Sequence, residues 1–274
     1  MPELPEVEIT ARRLGEALAG APIEDATAQG LNTLKSLDPP LTALRGARIA
    51  AVRRRGKLVI VDADNGISLL IHLMSGGRLQ LHDARPPGDG GSSRDHPARA
   101  SGPRAGASGA GPRRDRSVRL TLRLDDGREL RLREFGTKQA AWAKPLRTDA
   151  IDSDEAISKL GPEAWPAPPP FAPLIDRPRP LHALLRDQRV IAGIGRSWAD
   201  EILWSASLSP FKRGSTLSPA EAEGLRAATV ERLQGAVEHY EREVRLPIPN
   251  RMPMPLLVHR HVGEPCPRCG TPIA

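Results

Sequence analysis

The chain has 274 residues, enough for two domains that each bury a hydrophobic core. Its 40 lysines and arginines outnumber its 33 acidic residues and give a formal charge of +7, which favours a polyanionic partner such as a nucleic acid. No apolar run reaches the roughly 20 residues that cross a bilayer, and no signal-peptide pattern precedes Pro2. These features exclude a membrane-spanning protein and predict a cytoplasmic protein without a membrane partner.

The first six residues combine a reactive amine with two carboxylates. Pro2 permits removal of Met1, which would leave a secondary amine at the N-terminus. An α-amino group has a pKa of roughly 8, so about a tenth of it is uncharged and nucleophilic at pH 7. A secondary amine can attack an aldehyde-like carbon and form an iminium, and Glu3 and Glu6 lie within one turn as acid–base partners. Proline at the second position is common, so Pro2 indicates catalysis only together with its neighbouring residues.

An amphipathic helix is predicted directly after this terminus. Apolar side chains recur at helical spacing at Val7, Ala11, Leu14 and Leu18. Pro5 suits the first helical turn, where its missing N–H costs nothing. The amine would therefore lie near the positive end of the helix dipole, which lowers its pKa further.

The opening MPELPEVE, residues 1–8, resembles the start of the formamidopyrimidine-DNA glycosylase and endonuclease VIII family. Members of this family are bifunctional enzymes that remove damaged bases and cut the DNA strand. The resemblance implies that Pro2 is the Schiff-base nucleophile at the sugar C1′, that Glu3 is the general acid/base on the deoxyribose, and that Glu6 orders the site. The implied fold is α+β: an N-terminal helix and a two-sheet β-sandwich, then a helix–two-turns–helix domain with a partial zinc-finger tail.

Residues 1–149 are predicted to form the catalytic β-sandwich domain. Apolar and alternating runs predict strands at 49–52, 58–61, 68–73, 117–124 and 130–133. The dipeptide Asp126-Gly127 predicts the hairpin turn between the last two strands. Residues 84–116 are mainly glycine, proline, serine, alanine and arginine in no apolar order, so a flexible insertion is predicted there.

Lys57 follows a basic run between the first two predicted strands. Composition alone favours a solvated strand end for this residue. The family resemblance instead implies a lysine on a hairpin near the phosphate and the sugar, where it assists lesion handling and proton transfer in strand cleavage. We therefore expect Lys57 to join Pro2 and Glu3 in the catalytic site.

Two further segments resemble the family's base-flipping elements. Segment 71–76, IHLMSG, resembles the family's His-Leu-Gly-Met-Ser-Gly and implies that Met74 is the apolar wedge in the gap left by a flipped nucleotide. Segment 133–136, REFG, resembles Arg-Arg-Phe-Gly and implies that Arg133 pairs with the orphaned base and that Phe135 wedges beside it. Flipping costs a few kcal/mol of lost stacking, so one cation and two apolar fillers suit the gap.

Two positions near these segments depart from the family pattern. Glu134 stands in place of the usual second arginine and is predicted to remove a favourable charge near the phosphates. The family's histidine near the DNA backbone is missing just before Ser117, and Arg116 is the nearest residue that could make its contact.

Residues 150–255 are predicted to form the helical DNA-binding domain. A proline-rich stretch at 162–180 leads into it from the first domain. A capping box that begins at Ser218 predicts a long scaffold helix that continues to Tyr240.

The run from 181 to 195 resembles the helix–two-turns–helix signature, which binds the phosphates beside a lesion. The resemblance implies that backbone N–H groups at the Gly193 and Gly195 turn approach phosphate oxygens, with the next helix N-terminus aimed the same way. Arg196 stands where the family has an asparagine, and arginine can also bind phosphate.

Residues 256–274 resemble the start of the family's C-terminal zinc finger, with Cys266 and Cys269 as its first ligand pair. The resemblance implies Zn²⁺ as cofactor, but a structural zinc site normally needs four ligands and the second cysteine pair is missing. His259 or His261 could substitute, although an incomplete finger is the stronger expectation. A disulfide between the two cysteines is not expected in a reducing cytosol.

These features predict a monomeric bacterial DNA glycosylase with AP lyase activity that acts on damaged double-stranded DNA at the chromosome, without an organic cofactor. It would remove oxidised bases through a Schiff base on Pro2 and cut the strand by β- and then δ-elimination. Oxidised purines and oxidised pyrimidines both remain open as substrates. The alternative is a catalytically impaired protein that binds lesions or abasic sites: the missing half of the finger favours it, and intact Pro2, Glu3 and Lys57 argue against it.

Overall fold

The computed structural model of the protein describes residues 2–83, 115–135 and 139–273. Most of the predicted insertion at 84–116 lies outside these described residues, and so does Gly136 of the predicted wedge segment. Within the described ranges, no helix combines the length and the apolar character that crossing a bilayer requires.

Two four-stranded antiparallel sheets form the first half of the chain. Their strands are β1 Ile23–Ala28, β2 Ile49–Arg55, β3 Leu58–Ala63, β4 Ile67–His72, β5 Gly77–His82, β6 Val118–Leu124, β7 Glu129–Glu134 and β8 Trp142–Arg147. The order is β1-β6-β7-β5 in one sheet and β2-β3-β4-β8 in the other. The five strands predicted from the sequence are confirmed to within a few residues, and β1, β5 and β8 are additional.

One α-helix precedes the sheets and the other α-helices follow them. The α-helices among the described residues are α1 Leu4–Leu18, α2 Glu155–Ser158, α3 Ala172–Ile175, α4 Leu181–Arg186, α5 Arg196–Ser205 and α6 Pro219–Glu243. Helix α6 begins with the predicted capping box, in which Ser218 and Glu221 exchange backbone-to-side-chain hydrogen bonds. The predicted fold class, a helix and a β-sandwich followed by a helical domain, is confirmed.

Helix α1 contributes to two hydrophobic cores at once. Val7, Leu14 and Leu18 pack in the core between the two sheets. Leu4 and Ile9 join the core formed by the later helices. All five side chains are fully buried, and each such burial contributes roughly 1.5–3 kcal/mol. Because one helix belongs to both cores, its first turn is fixed where the two halves of the chain meet.

Candidate active site

The carboxylate of Glu3 is held by the N-terminus of α5. Its oxygens accept N–H bonds from Gly195 at 2.6 Å, Ser197 at 2.9 Å and Trp198 at 3.3 Å. Glu3 is only 2% exposed. A helix N-terminus presents unpaired N–H groups and a partial positive charge, so it stabilises a carboxylate. The second half of the chain therefore fixes the acid that follows Pro2.

Glu6 is buried one turn further along and is held from three sides. It accepts hydrogen bonds from the Tyr240 hydroxyl at 2.6 Å, from Nε1 of Trp198 at 3.2 Å and from the N–H of Glu3 at 2.8 Å. Burial raises the pKa of Glu6, and the charge of Glu3 raises this pKa further. Burial likewise raises the pKa of Tyr240, which keeps its hydroxyl a donor at neutral pH. Tyr240 and Trp198 are site residues that the sequence did not reveal, because only the tertiary fold brings them to Glu6.

The two glycines before α5 are required by close packing against the N-terminal segment. The carbonyl of Gly193 accepts the N–H of Leu4 at 2.9 Å, and Gly193 has φ +106°. A Cβ at Gly193 would lie 2.5 Å from Cδ1 of Leu4, and a Cβ at Gly195 would lie 2.5 Å from Oε1 of Glu3. No side chain fits at either position unless the N-terminal segment moves.

The N–H groups of Gly193 and Gly195 themselves are bonded inside the protein, and a phosphate contact of this turn stays a prediction. The N–H of Gly193 donates to Oε1 of Gln188 at 2.9 Å, and that of Gly195 donates to Glu3. Both donors are thus used inside the protein, because the turn packs against the N-terminal segment instead of facing outward. Arg196, the first residue of α5, is exposed and free of this packing, as are Arg186 and Arg189 nearby.

Replacing Gly195 with alanine is expected to reduce cleavage of abasic-site DNA about 100-fold, since displacements near 1 Å in a site have effects of that size. The new methyl group would push the Glu3 carboxylate away from α5. Gly224→Ala is the matched control, because Gly224 lies in α6 and a Cβ there meets nothing within 4 Å. This control should keep full activity and unfold at a slightly higher temperature, since alanine favours a helix. Equal activity of both variants would show that the Glu3 position does not matter.

Lys57 lies in the turn between β2 and β3 and is buried, with 7% of its surface exposed. Burial lowers its pKa from 10.5 to about 8; the charges of Glu3 and Glu6 oppose this effect and that of Arg186 adds to it. The turn that carries Lys57 packs beside the N-terminal segment, because a Cβ at Gly56 would lie 3.9 Å from the nitrogen of Gly193, whose carbonyl accepts the N–H of Leu4. A catalytic role for Lys57 stays a prediction.

Glu163 holds the turn that carries Lys57. Its carboxylate accepts hydrogen bonds from the N–H of Gly56 at 2.7 Å and from Nη1 of Arg55 at 2.6 Å. Arg54 also donates to Glu163, and it bonds Glu8 of α1 at 2.8 Å. In the sequence, Glu163 lies in the run Leu160-Gly161-Pro162-Glu163, and nothing in that run indicates a contact with residues 54–56. The structure shows that it joins the helical half of the chain to the Lys57 turn.

The predicted wedge residues lie close together at one edge of the sandwich. The N–H of Phe135 donates to the carbonyl of Gly76 at 3.2 Å, which ties this residue to the turn that contains Met74. Phe135 is 39% exposed, and the guanidinium of Arg133 lies 4.9 Å from its ring centroid. Met74 has φ +49° and donates its N–H to Nδ1 of His72 at 2.9 Å. Burial lowers the pKa of His72 to about 4, so its ring is neutral and can accept this bond.

Glu134 points into the protein, so its own negative charge does not face the phosphates, and the loss of the usual arginine charge there stays a prediction. Its side chain is buried and accepts the N–H groups of Ala140 at 2.8 Å and Ala141 at 2.9 Å. Nε of Arg119, also buried, lies 3.7 Å from the carboxylate. Strand alternation accounts for this orientation, since Glu134 faces away from its exposed neighbour Phe135. Arg116, predicted to contact the DNA backbone, is exposed.

The segment that contains Cys266 and Cys269 is held against Trp204 of α5 by a hydrogen bond and a cation–π contact. Sγ of Cys266 accepts a bond from Nε1 of Trp204 at 3.3 Å, and this bond, together with backbone N–H groups, lowers the pKa of Cys266 to about 7. The guanidinium of Arg268 lies 4.5 Å from the Trp204 ring centroid and donates to Oγ of Ser207 at 2.6 Å. Cys269 is exposed.

The described residues do not fit a four-ligand zinc site. Among them, no three His, Cys, Asp or Glu side chains are grouped so that they could hold a metal ion. His259 bonds Asp200 at 2.6 Å and His261 bonds Glu264 at 2.8 Å, so neither histidine completes a site with the cysteines. The suggested substitution by a histidine is therefore not supported.

Comparisons with known proteins match both halves of the chain to one family. Residues 1–137 match the model of the formamidopyrimidine-DNA glycosylase N-terminal domain, and residues 170–247 match that of the H2TH domain of the same enzymes. The formamidopyrimidine-DNA glycosylase of Cereibacter sphaeroides (strain ATCC 17025) is 34% identical over 246 residues, which cover 87% of this chain and 79% of that protein.

Solved structures show the same fold. The crystal structure of the MutM (Fpg) protein from Thermus thermophilus superimposes with a TM-score of 0.75 at 30% identity, covering 99% of this chain and 92% of that one. Lactococcus lactis Fpg in complex with DNA containing N7-benzyl-Fapy-dG gives a TM-score of 0.79 at 24% identity, covering 99% and 93%. The protein therefore belongs to the formamidopyrimidine-DNA glycosylase family.

Proposed function

We propose that the protein is a DNA glycosylase of base excision repair that removes oxidised bases from double-stranded DNA and then cuts the strand, with Pro2 as its nucleophile. One observation carries this proposal: the carboxylates of Glu3 and Glu6 are buried directly after Pro2, and the turn that carries the buried Lys57 packs beside the same segment. Damaged double-stranded DNA as substrate implies action at the bacterial chromosome.

The first step makes one bond and breaks another. The amine of Pro2 attacks C1′ of the damaged nucleotide, and the electrons of the glycosidic bond leave with the base, which takes up a proton. The proline nitrogen then loses its proton, the C1′–O4′ bond of the sugar breaks, and O4′ takes up a proton, so the ring opens to an iminium between the nitrogen and C1′. This iminium withdraws electrons from C2′, so a base can remove a proton there. The 3′ phosphate then leaves in β-elimination, and the 5′ phosphate can follow in δ-elimination.

The carboxylates and Lys57 supply the proton transfers. Glu3, held by the α5 N-terminus, is the general acid/base for the deoxyribose, and Glu6 fixes the backbone beside Pro2 through its bond to the Glu3 N–H. A lysine with a pKa of about 8 exchanges its proton readily near neutral pH and remains largely cationic beside a phosphate.

Duplex oligonucleotides that carry 8-oxoguanine, an oxidised pyrimidine or an abasic site test the proposal directly. The protein should release at least one damaged base and should cut the abasic strand. Met74→Ala and Phe135→Ala should slow base release about tenfold or more, because flipping costs a few kcal/mol and these fillers offset it. Both variants should cut abasic DNA nearly as fast as the wild type, since an abasic site needs little flipping.

Leu37→Ala is the control for the loss of an exposed apolar side chain, because Leu37 is 79% exposed. Equal losses on damaged and abasic DNA would mean that Met74 and Phe135 only hold the fold. A protein that binds abasic DNA without ever cutting it would favour the alternative, a binding protein without catalysis. The three donors that occupy the Glu3 carboxylate make that alternative worth testing.

A further inference from the structure

A small cavity opens directly beside Pro2. Its volume is about 60 Å³, and it is lined by Pro2 and Glu6 on one side and by Arg78 of β5 on another. Met252 and Met254, from the segment after α6, form an apolar wall. Methionine side chains are unbranched and adapt to different shapes, so this wall can yield to an entering group.

Arg78 is the cation of this cavity, and it has no carboxylate partner. No Asp or Glu oxygen of the described residues lies within 4.0 Å of its guanidinium, although most arginines of the sandwich are ion-paired. Its Nε donates to the carbonyl of Asn250 at 2.8 Å and its Nη1 to the carbonyl of Gly77 at 2.7 Å. Nη2 donates to no residue that the structure describes.

The guanidinium is partly buried, and this burial lowers its pKa, while the charge of Glu6 acts in the opposite direction. A cation that is taken out of water without an ion-pair partner costs free energy. Two backbone carbonyls fix its orientation but leave N–H groups available. This arrangement suits a ligand that brings acceptor oxygens into the cavity.

The position of Arg78 links the wedge to the nucleophile. In the β5–β7 pair, Arg78 lies directly opposite Arg133, the cation beside Phe135. Arg78 also lines the cavity beside Pro2 and Glu6. A nucleotide that leaves the duplex at the wedge and places its sugar at Pro2 therefore brings its base past the guanidinium of Arg78.

We propose that Arg78 is a specificity-determining residue, which donates hydrogen bonds to carbonyl oxygens of the displaced base in this cavity. The proposal rests on the proposed function, because it assumes that a base is displaced at Pro2. Oxidation of guanine to 8-oxoguanine adds a carbonyl oxygen at C8, and ring opening to a formamidopyrimidine adds a formyl oxygen, so a guanidinium fixed at that oxygen favours these bases over guanine. The same cation stabilises the negative charge that develops on the base as the glycosidic bond breaks.

Single-turnover rates of base release and of abasic-site cleavage, measured on the same preparations, test this assignment. Arg78→Gln should slow release of the wild type's best damaged base about 10- to 150-fold, the usual effect of one hydrogen bond to a charged group. It should leave cleavage of abasic DNA within about twofold, since no base is present there. Arg78→Lys should recover part of the release rate. Arg53→Gln, which removes an exposed arginine on β2, is the charge-matched control and should change neither rate.

The two rates separate the possible outcomes. Unchanged base release in Arg78→Gln would overturn the assignment, and so would an equal loss of both activities, which would indicate a structural role. In either case a wild type that releases bases and cuts abasic DNA leaves the proposed function intact. A wild type that does neither would refute the proposed function, and the assignment of Arg78 with it.

Discussion

Borohydride added to a mixture of the protein and abasic-site DNA is expected to join the two covalently through Pro2. Reduction of the iminium leaves a stable amine between the proline nitrogen and C1′ of the sugar. Mass spectrometry of the digested adduct should therefore place the DNA on the N-terminal peptide. Pro2→Leu should abolish the adduct and slow cleavage by roughly a thousandfold or more, as the loss of a nucleophile does elsewhere, because Met1 is retained before leucine and no free amine remains at position 2.

Two further variants make this result specific. Pro5→Ala changes a proline in the first turn of α1 without touching the amine, so it should be trapped normally. Pro2→Gly should be trapped in part, because glycine also supplies a terminal amine. An adduct found on Lys57 in the wild type would show that the nucleophile has been assigned to the wrong residue.

Lys57→Met is expected to slow strand cleavage strongly and to make the protein more stable. The lowered pKa of Lys57 means that the cost of burying its ammonium exceeds the attraction of Glu3 and Glu6. A folded-state pKa of about 8 against an unfolded value of 10.5 corresponds to about 3 kcal/mol, at about 1.4 kcal/mol for each pH unit. Below pH 8 the lysine is protonated in both states, so the folded protein bears this cost in full and the methionine variant avoids it.

The sign of the pH dependence follows from the same linkage. Between about pH 8 and 10.5 the unfolded state binds the proton and the folded state releases it, so wild-type stability rises with pH relative to the variant. The gain of Lys57→Met should be largest at pH 7 and should vanish near pH 10.5. Urea unfolding at several pH values measures this difference in the free energy of unfolding between the variant and the wild type. Lys159→Met, at an exposed lysine paired with Glu155, should change stability by no more than about 0.5 kcal/mol.

Activity should respond to the same titration. If the ammonium of Lys57 holds the phosphate, kcat/KM for abasic-site cleavage should fall as the pH rises above about 8. Residual cleavage by Lys57→Met should lack this decline. A wild-type rate that stays constant through pH 10 would show that the charge of Lys57 takes no part in the reaction.

The strands that the sequence does not reveal have a common physical property. β1 and β5 are the edges of one sheet, and β8 is an edge of the other. An edge strand pairs on one side only, so it tolerates residues that interior strands exclude, such as Pro145 in β8 and Gly77 in β5. The interior strands β3, β4, β6 and β7 carry the strong apolar pattern and were therefore predictable. The edge strand β2 was predicted as well, because its first residues form an apolar run.

The catalytic constellation was predictable only in its local part. Pro2, Glu3 and Glu6 are neighbours in the chain, and family resemblance added Lys57. The donors that hold these carboxylates come from almost 200 residues or more away, and no local pattern marks them. For the same reason the packing of the Gly193 and Gly195 turn was not predicted: its packing partner is the opening segment, which sequence spacing cannot show.

The hydrogen bond between Glu6 and Tyr240 has a consequence for synthesis. The amine end is the first part of the chain to leave the ribosome, yet Tyr240 is added 234 residues after Glu6. A nascent chain therefore carries the reactive end long before its carboxylates are aligned. The helices that align them also belong to the half of the chain that matches the H2TH domain. The site can therefore become active only after that half has been synthesised, and a chain that ends before α6 could not assemble it.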